Sequence, residues 1–192
     1  MKISKFFSGK WGFVSEILIF MLITYGFHLI YRMNSEGINS WGWMKACNQF
    51  LIQSCFEQTL WIYQNILTIQ YKLESGNTIR FFNLEAISVN TGCSGSKQIL
   101  QVLVLFVLYP GPWLRKLWYI PIAVIAIYWV NVWRIAVLGY WRGHGWPYWD
   151  FLHDGPMRVL FYLVIFGFWY YWNEKLRKVD FPQFQNHLFK VK

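Results

Sequence analysis

Three residues in this chain carry the parts of covalent acyl chemistry, each in a short distinctive stretch. Cys93 lies in Thr91-Gly-Cys-Ser-Gly-Ser96, Arg134 follows Asn131-Val-Trp, and His153 lies in Phe151-Leu-His-Asp-Gly-Pro156. A thiol is a nucleophile, an imidazole can take its proton, and a guanidinium can donate a fork of hydrogen bonds to a developing oxyanion. Together they would serve acyl transfer through a thioester. Gly92 and Gly95 remove side chains near the sulfur. Ser94 and Ser96 are helix-capping types, which predicts that Cys93 sits by the first turn of a helix. Asn131 falls three residues before Arg134, on the same face of any helix holding both. Asp150 and Asp154 flank the histidine, and Asp154-Gly-Pro156 reads as a helix start.

Each residue also has a plainer reading. A cysteine is commonly a small buried hydrophobe, and an arginine near the end of a membrane helix can snorkel to the headgroups. His144, in Arg142-Gly-His-Gly-Trp146, rivals His153. Cys93, His144 and His153 could hold zinc only if their loop folded back, and a neighbouring arginine would oppose the cation. Neither GxxxxGK[ST] nor GxGxxG occurs, so no nucleotide or other cofactor is implied. Cys47 and Cys55 lie eight residues apart. On one helix that is ~12 Å, beyond the ~7 Å Cα separation a disulfide tolerates, so free thiols are expected.

The elements that must position these groups are membrane helices. Of 192 residues, 56% are hydrophobic, 22% aromatic and only 14% charged, against ~25% charged in soluble domains. A disordered chain and a disulfide-stapled secreted domain are both excluded, the latter by a count of 3 cysteines. The net charge of +9 gathers at the ends of apolar runs, which argues for a bilayer rather than nucleic acid. Spans are predicted at 11–31, 93–109, 117–140 and 157–172, the second carrying Lys97, Gln98 and Gln101 against protein. The basic clusters Lys2/Lys5/Lys10, Arg115/Lys116 and Lys175/Arg177/Lys178 then share one side, the cytoplasm. Cys93, Arg134 and His153 fall on the other.

Residues 41–70 have amphipathic spacing and predict one or two helices along the outer interface. Glu74-Ser-Gly-Asn77 followed by Thr78-Ile-Arg-Phe-Phe predicts a small hairpin. The expected fold is an all-α membrane bundle of about four transmembrane helices with an amphipathic extracytoplasmic segment and that hairpin. Residues 1–10 read as a cytoplasmic N-terminus, 11–175 as the membrane catalytic domain with 33–92 outside, and 176–192 as a cytoplasmic tail.

Over roughly residues 70–175 the chain resembles the exosortase/archaeosortase family, in its compact bacterial form. The likeness lies in the order of a Gly-Cys-Ser-Gly helix start, a span, a short basic loop, an Asn-x-x-Arg-Ile span and a histidine opening the last span. Polar Ser-Gly-Ser-Lys follows the cysteine where more apolar residues are expected. The resemblance implies a membrane-embedded cysteine protease or transpeptidase of the bacterial inner membrane, acting at its outer face. Its substrates would be exported proteins bearing a C-terminal motif, a hydrophobic span and a basic end. It maps the nucleophile to Cys93, the arginine to Arg134, the histidine to His153 and the preceding asparagine to Asn131. A competing reading is a non-enzymatic scaffold or small transporter subunit whose Asn131/Arg134 stripe lines a passage.

Overall fold

The computed structural model describes residues 10–177, and the termini expected at 1–10 and 176–192 lie outside that range apart from Lys10, Leu176 and Arg177. Helix α1 (Lys10–Ser40) is followed by α2 (Gly42–Asn65), strands β1 (Tyr71–Glu74), β2 (Thr78–Phe81) and β3 (Ala86–Ser88), and a 3₁₀ turn at Thr91–Cys93. Then come α3 (Ser96–Leu108), α4 (Trp113–Gly143), α5 (Trp149–Asp154) and α6 (Pro156–Tyr171), which runs on as a π-helical turn, Trp172–Arg177.

Three helices are long and apolar enough to cross a membrane: Phe13–Ser40, Trp113–Gly143 and Phe151–Arg177. The second expected span shrinks to the 13 residues of α3, ~20 Å at 1.5 Å per residue against ~30 Å of hydrocarbon. Its upper end is cut short because Gly95, at φ 75°, takes the left-handed backbone that turns the chain away from the helix. Its lower end stops at the Pro110-Gly-Pro112 turn, where Lys116 Nζ donates to the Tyr109 carbonyl at 2.7 Å and to that of Val107 at 3.2 Å. The basic loop thus satisfies the terminal carbonyls of α3. Arg115 donates to the Leu176 carbonyl, and Arg177 pairs with Glu16 at 2.6 Å, so α1, α3, α4 and the π-helical turn are tied at one end.

Helix α1 outruns its expected span and breaks at Asn34, which has φ −121° and ψ 16°. The amphipathic segment forms one helix, α2. Its buried positions Met44, Asn48, Leu51, Cys55, Thr59 and Ile62 recur at three- and four-residue steps. That stripe packs on α4, where an interfacial helix had been expected to keep its apolar face for lipid. The hairpin is part of a three-stranded antiparallel sheet. Glu74 faces Thr78 across the Ser75–Asn77 turn, in which Gly76 and Asn77 both have positive φ. Strand β3 is too short to show alternation and is recruited by Ile87, which pairs with Ile79.

Two apolar clusters result. The lower is aromatic, with Phe20, Phe106, Tyr109, Tyr119, Trp169 and Trp172 drawn from α1, α3, α4, α6 and the adjoining turns. The upper joins α2, the sheet and α4 through Cys55, Tyr63, Ile79, Phe81, Ile135 and Ala136. Helix α4 belongs to both. Its 31 residues reach ~46 Å, more than one hydrocarbon thickness, so its upper third is free to carry the sheet.

Gly139 packs directly against the Tyr63 hydroxyl, leaving no room for a Cβ between them. That hydroxyl donates to the Ala136 carbonyl at 3.1 Å from a fully buried ring. Gly139→Ala should therefore destabilise the protein by about 1–3 kcal/mol through overpacking. Tyr63→Phe should recover part of that loss, so the double variant melts higher in detergent than the two single shifts add up to.

Candidate active site

The loop bearing the cysteine is built by local hydrogen bonds. Asn90 Oδ1 accepts from the Gly92 N–H at 2.9 Å and starts the 3₁₀ turn. Ser94 Oγ donates to the Thr91 carbonyl at 2.8 Å and accepts from the Ser96 N–H at 3.3 Å. Ser94 is therefore a buried brace of this loop, and the cap position of α3 falls to Gly95, which has no side chain to cap with. The sequence placed Cys93 at the first turn of α3. It stands three residues earlier, half-buried at the end of the 3₁₀ turn.

A contact across the bundle positions it. Asn131 is fully buried on α4, and its Nδ2 donates to the Cys93 carbonyl at 2.7 Å. The same amide lies 3.5 Å from Cys55 Sγ. Gly95 makes the approach possible, since a Cβ there would come within 3.0 Å of the Asn131 side chain. Asn131 thus anchors the loop, a more specific task than the cavity-lining role its spacing suggested.

One turn above, Arg134 Nη2 lies 3.0 Å from His153 Nε2. A guanidinium can only donate, so Nε2 accepts. His153 lies in the short helix α5, where a loop had been expected, and Trp149 one turn earlier stacks on it at 4.9 Å with 16° between the planes. Arg142 covers the Trp149 ring at 4.7 Å and pairs with Glu85 of the β2–β3 loop at 2.7 Å. The sheet is in this way linked through one ion pair and two ring contacts to the imidazole. Trp149 and Arg142 escaped the sequence reading, although the four-residue step from Trp149 to His153 is a helical one.

Cys93, Arg134 and His153 line one cavity of about 560 Å³, with Gly92, Arg142 and Trp149 also in its wall. His144 is elsewhere: exposed, with Nδ1 2.8 Å from the Tyr140 carbonyl and its ring against Tyr140. Asp154 closes α5, but its side chain and that of Asp150 lie outside the described residues. Among the described residues no group of three His, Cys, Asp or Glu side chains is close enough to hold a metal ion. All three cysteines are free thiols, Cys47 exposed and Cys55 buried.

Comparison with known proteins now adds a family. The model of the transmembrane exosortase family matches residues 48–170, more than half of the chain. The chain belongs to that family. No curated protein and no solved structure matched it. The match begins inside α2, earlier than the resemblance read from the motifs, in keeping with Cys55 and Asn48 packing behind the cysteine loop. Exosortases are transmembrane cysteine peptidases or transpeptidases, and in this one Cys93 is the cysteine that opens on a cavity.

Burial pushes the Cys55 thiol up from its ordinary range. In the folded protein a maleimide should therefore modify Cys47 first, Cys93 next through the cavity, and Cys55 only on unfolding. Asn131→Ala leaves the Cys93 carbonyl without its donor, and labelling of Cys93 should rise severalfold as the loop loosens. Mass mapping of alkylated peptides reads both, and a Cys55 as quick as Cys47 would contradict the packing.

Proposed function

We propose that this exosortase cleaves C-terminal sorting signals from exported proteins through a Cys93 thioester, at the outer face of the bacterial cytoplasmic membrane. The observation that carries the proposal is the cavity shared by a thiol, a guanidinium and an imidazole drawn from the 3₁₀ turn, α4 and α5. The outer-face assignment rests on charge. Arg115, Lys116 and Arg177 cluster at the end of the bundle away from the cavity, the cytoplasmic end by the positive-inside rule. A substrate tail anchored by its own span would reach the cavity at fixed depth, so positioning supplies much of the rate.

The resting contact between Arg134 and His153 shapes the mechanism. With Nε2 accepting from the guanidinium, that nitrogen must change partner before it can take the thiol proton. In our reading, the scissile carbonyl draws the guanidinium onto its oxygen and releases Nε2 to the thiol. Cys93 Sγ then attacks the carbonyl carbon, His153 accepts the thiol proton, and Arg134 holds the oxyanion. The C–N bond breaks as His153 returns the proton to the departing amine. The thioester left on Cys93 is resolved by water or an outer-surface nucleophile, which takes the exported protein with it.

Cys93→Ala should abolish processing of a co-expressed tail-bearing substrate while the protein still accumulates in the membrane. Normal maturation would end the proposal. Arg134→Lys retains the charge and loses the fork, and should lower the rate by roughly 10²-fold, the scale of one oxyanion donor. Trp149→Ala should lower it by about tenfold, the upper value of an aromatic stack, with Trp149→Phe recovering most of the loss in the same pulse–chase assay.

A further inference from the structure

A second cavity of about 330 Å³ lies beside the first and shares Gly92, Arg134 and His153 with it. Its other polar wall residues are His28 of α1, Lys97, Gln98 and Gln101 of α3, and Arg158 and Tyr162 of α6. None of its described lining residues carries a carboxylate. Lys97 Nζ lies 3.1 Å from His28 Nδ1. An ammonium has only donors, so the ring orients the lysine without neutralising it. Gln101 is 4% exposed, and its buried side-chain Nε2 has no hydrogen-bond partner among the described residues. A cationic wall with an unused amide donor is the complement of an anionic oxygen.

The cavity continues downward. His28 and Tyr162 also line a groove of about 450 Å³ between α1 and α6, walled by Phe20, Met21, Tyr25, Leu163 and Phe166. From Phe20 to His28 it runs ~12 Å along α1. Both belong to helical stretches long and apolar enough to cross a membrane. Apart from Thr24 its lining side chains are bulky, whereas helices that pack together in a bilayer do so through small residues. A flexible acyl chain suits such a groove better than another helix does.

We infer that this composite site binds one anionic phospholipid, its phosphate against Lys97 and Gln101 and an acyl chain between α1 and α6. The headgroup then rests against the wall that holds Arg134 and His153.

Native mass spectrometry of the full-length protein in detergent, titrated with phosphatidylglycerol, tests this. One lipid per chain should bind, and diacylglycerol with the same acyl chains should bind less tightly. Lys97→Gln should weaken binding about fivefold, the share of one basic side chain at a lipid surface. Lys97→Arg should preserve binding, which separates lost charge from misfolding, and Thr24→Phe should weaken binding by filling the groove. Cys93→Ala should bind as the native chain does, so the lipid site and the thioester chemistry stand or fall separately. The inference is overturned if diacylglycerol binds equally well or if Lys97→Gln changes nothing. It is also overturned if inorganic phosphate displaces the lipid at equal concentration, or if an apolar helical peptide does so where added lipid does not.

Discussion

A guanidinium inside an apolar bundle is the constraint around which the upper half of this protein is organised. Arg134 is 8% exposed on a helix whose neighbours are Ile, Val and aromatic side chains. Such a cation persists within a membrane-sized helix only where partners and a polar cavity receive it. His153 and the cavity walls receive it here. To bring the imidazole within reach, the chain inserts α5 between α4 and α6, and Trp149, Arg142 and Glu85 brace that insertion from the sheet side.

The depth of the site follows from one helix being long and another short. Helix α3 begins at the level of Asn131, ~22 Å along α4 from Lys116, and α4 continues ~18 Å beyond. The cysteine loop therefore ends partway up α4, recessed beneath α2 and the sheet. Under the proposed function, a substrate span lying beside α4 would present its upper end to that recess without having to leave the lipid. The tight match of Gly95 to Asn131 fixes the height, because any larger residue would push the two apart.

Charge is divided along the same axis. The lower end uses its cations structurally: Arg115 and Lys116 on helix-terminal carbonyls, Arg177 on Glu16. The upper end gathers Arg134, Arg142 and Lys97 around cavities. The positive-inside pattern and the site chemistry thus draw on different basic residues, so a net charge of +9 says little until each cation is placed.

Much was legible in the chain itself. Apolar run length located α1, α4 and α6, because crossing hydrocarbon demands ~20 consecutive apolar residues whatever they pack against. The polar residues retained inside those runs marked Asn131 and Arg134, since a bilayer tolerates them only for a reason. The turn at Ser75–Asn77 followed from residues that accept positive φ. Other features depended on packing alone. The shortness of α3 comes from Gly95 meeting Asn131 and from Lys116 closing the far end. The burial of α2 comes from an available face on α4, to which local amphipathicity is blind, and β3 exists only because β2 offers it an edge. Residue spacing left His144 a rival that only the family resemblance set aside; the fold separates the two, because α5 takes the His153 imidazole to the guanidinium while His144 stays turned onto its own helix. Residue types and hydrophobic length are properties of the chain, whereas the meeting of a thiol, a guanidinium and an imidazole is a property of distances that only tertiary packing sets.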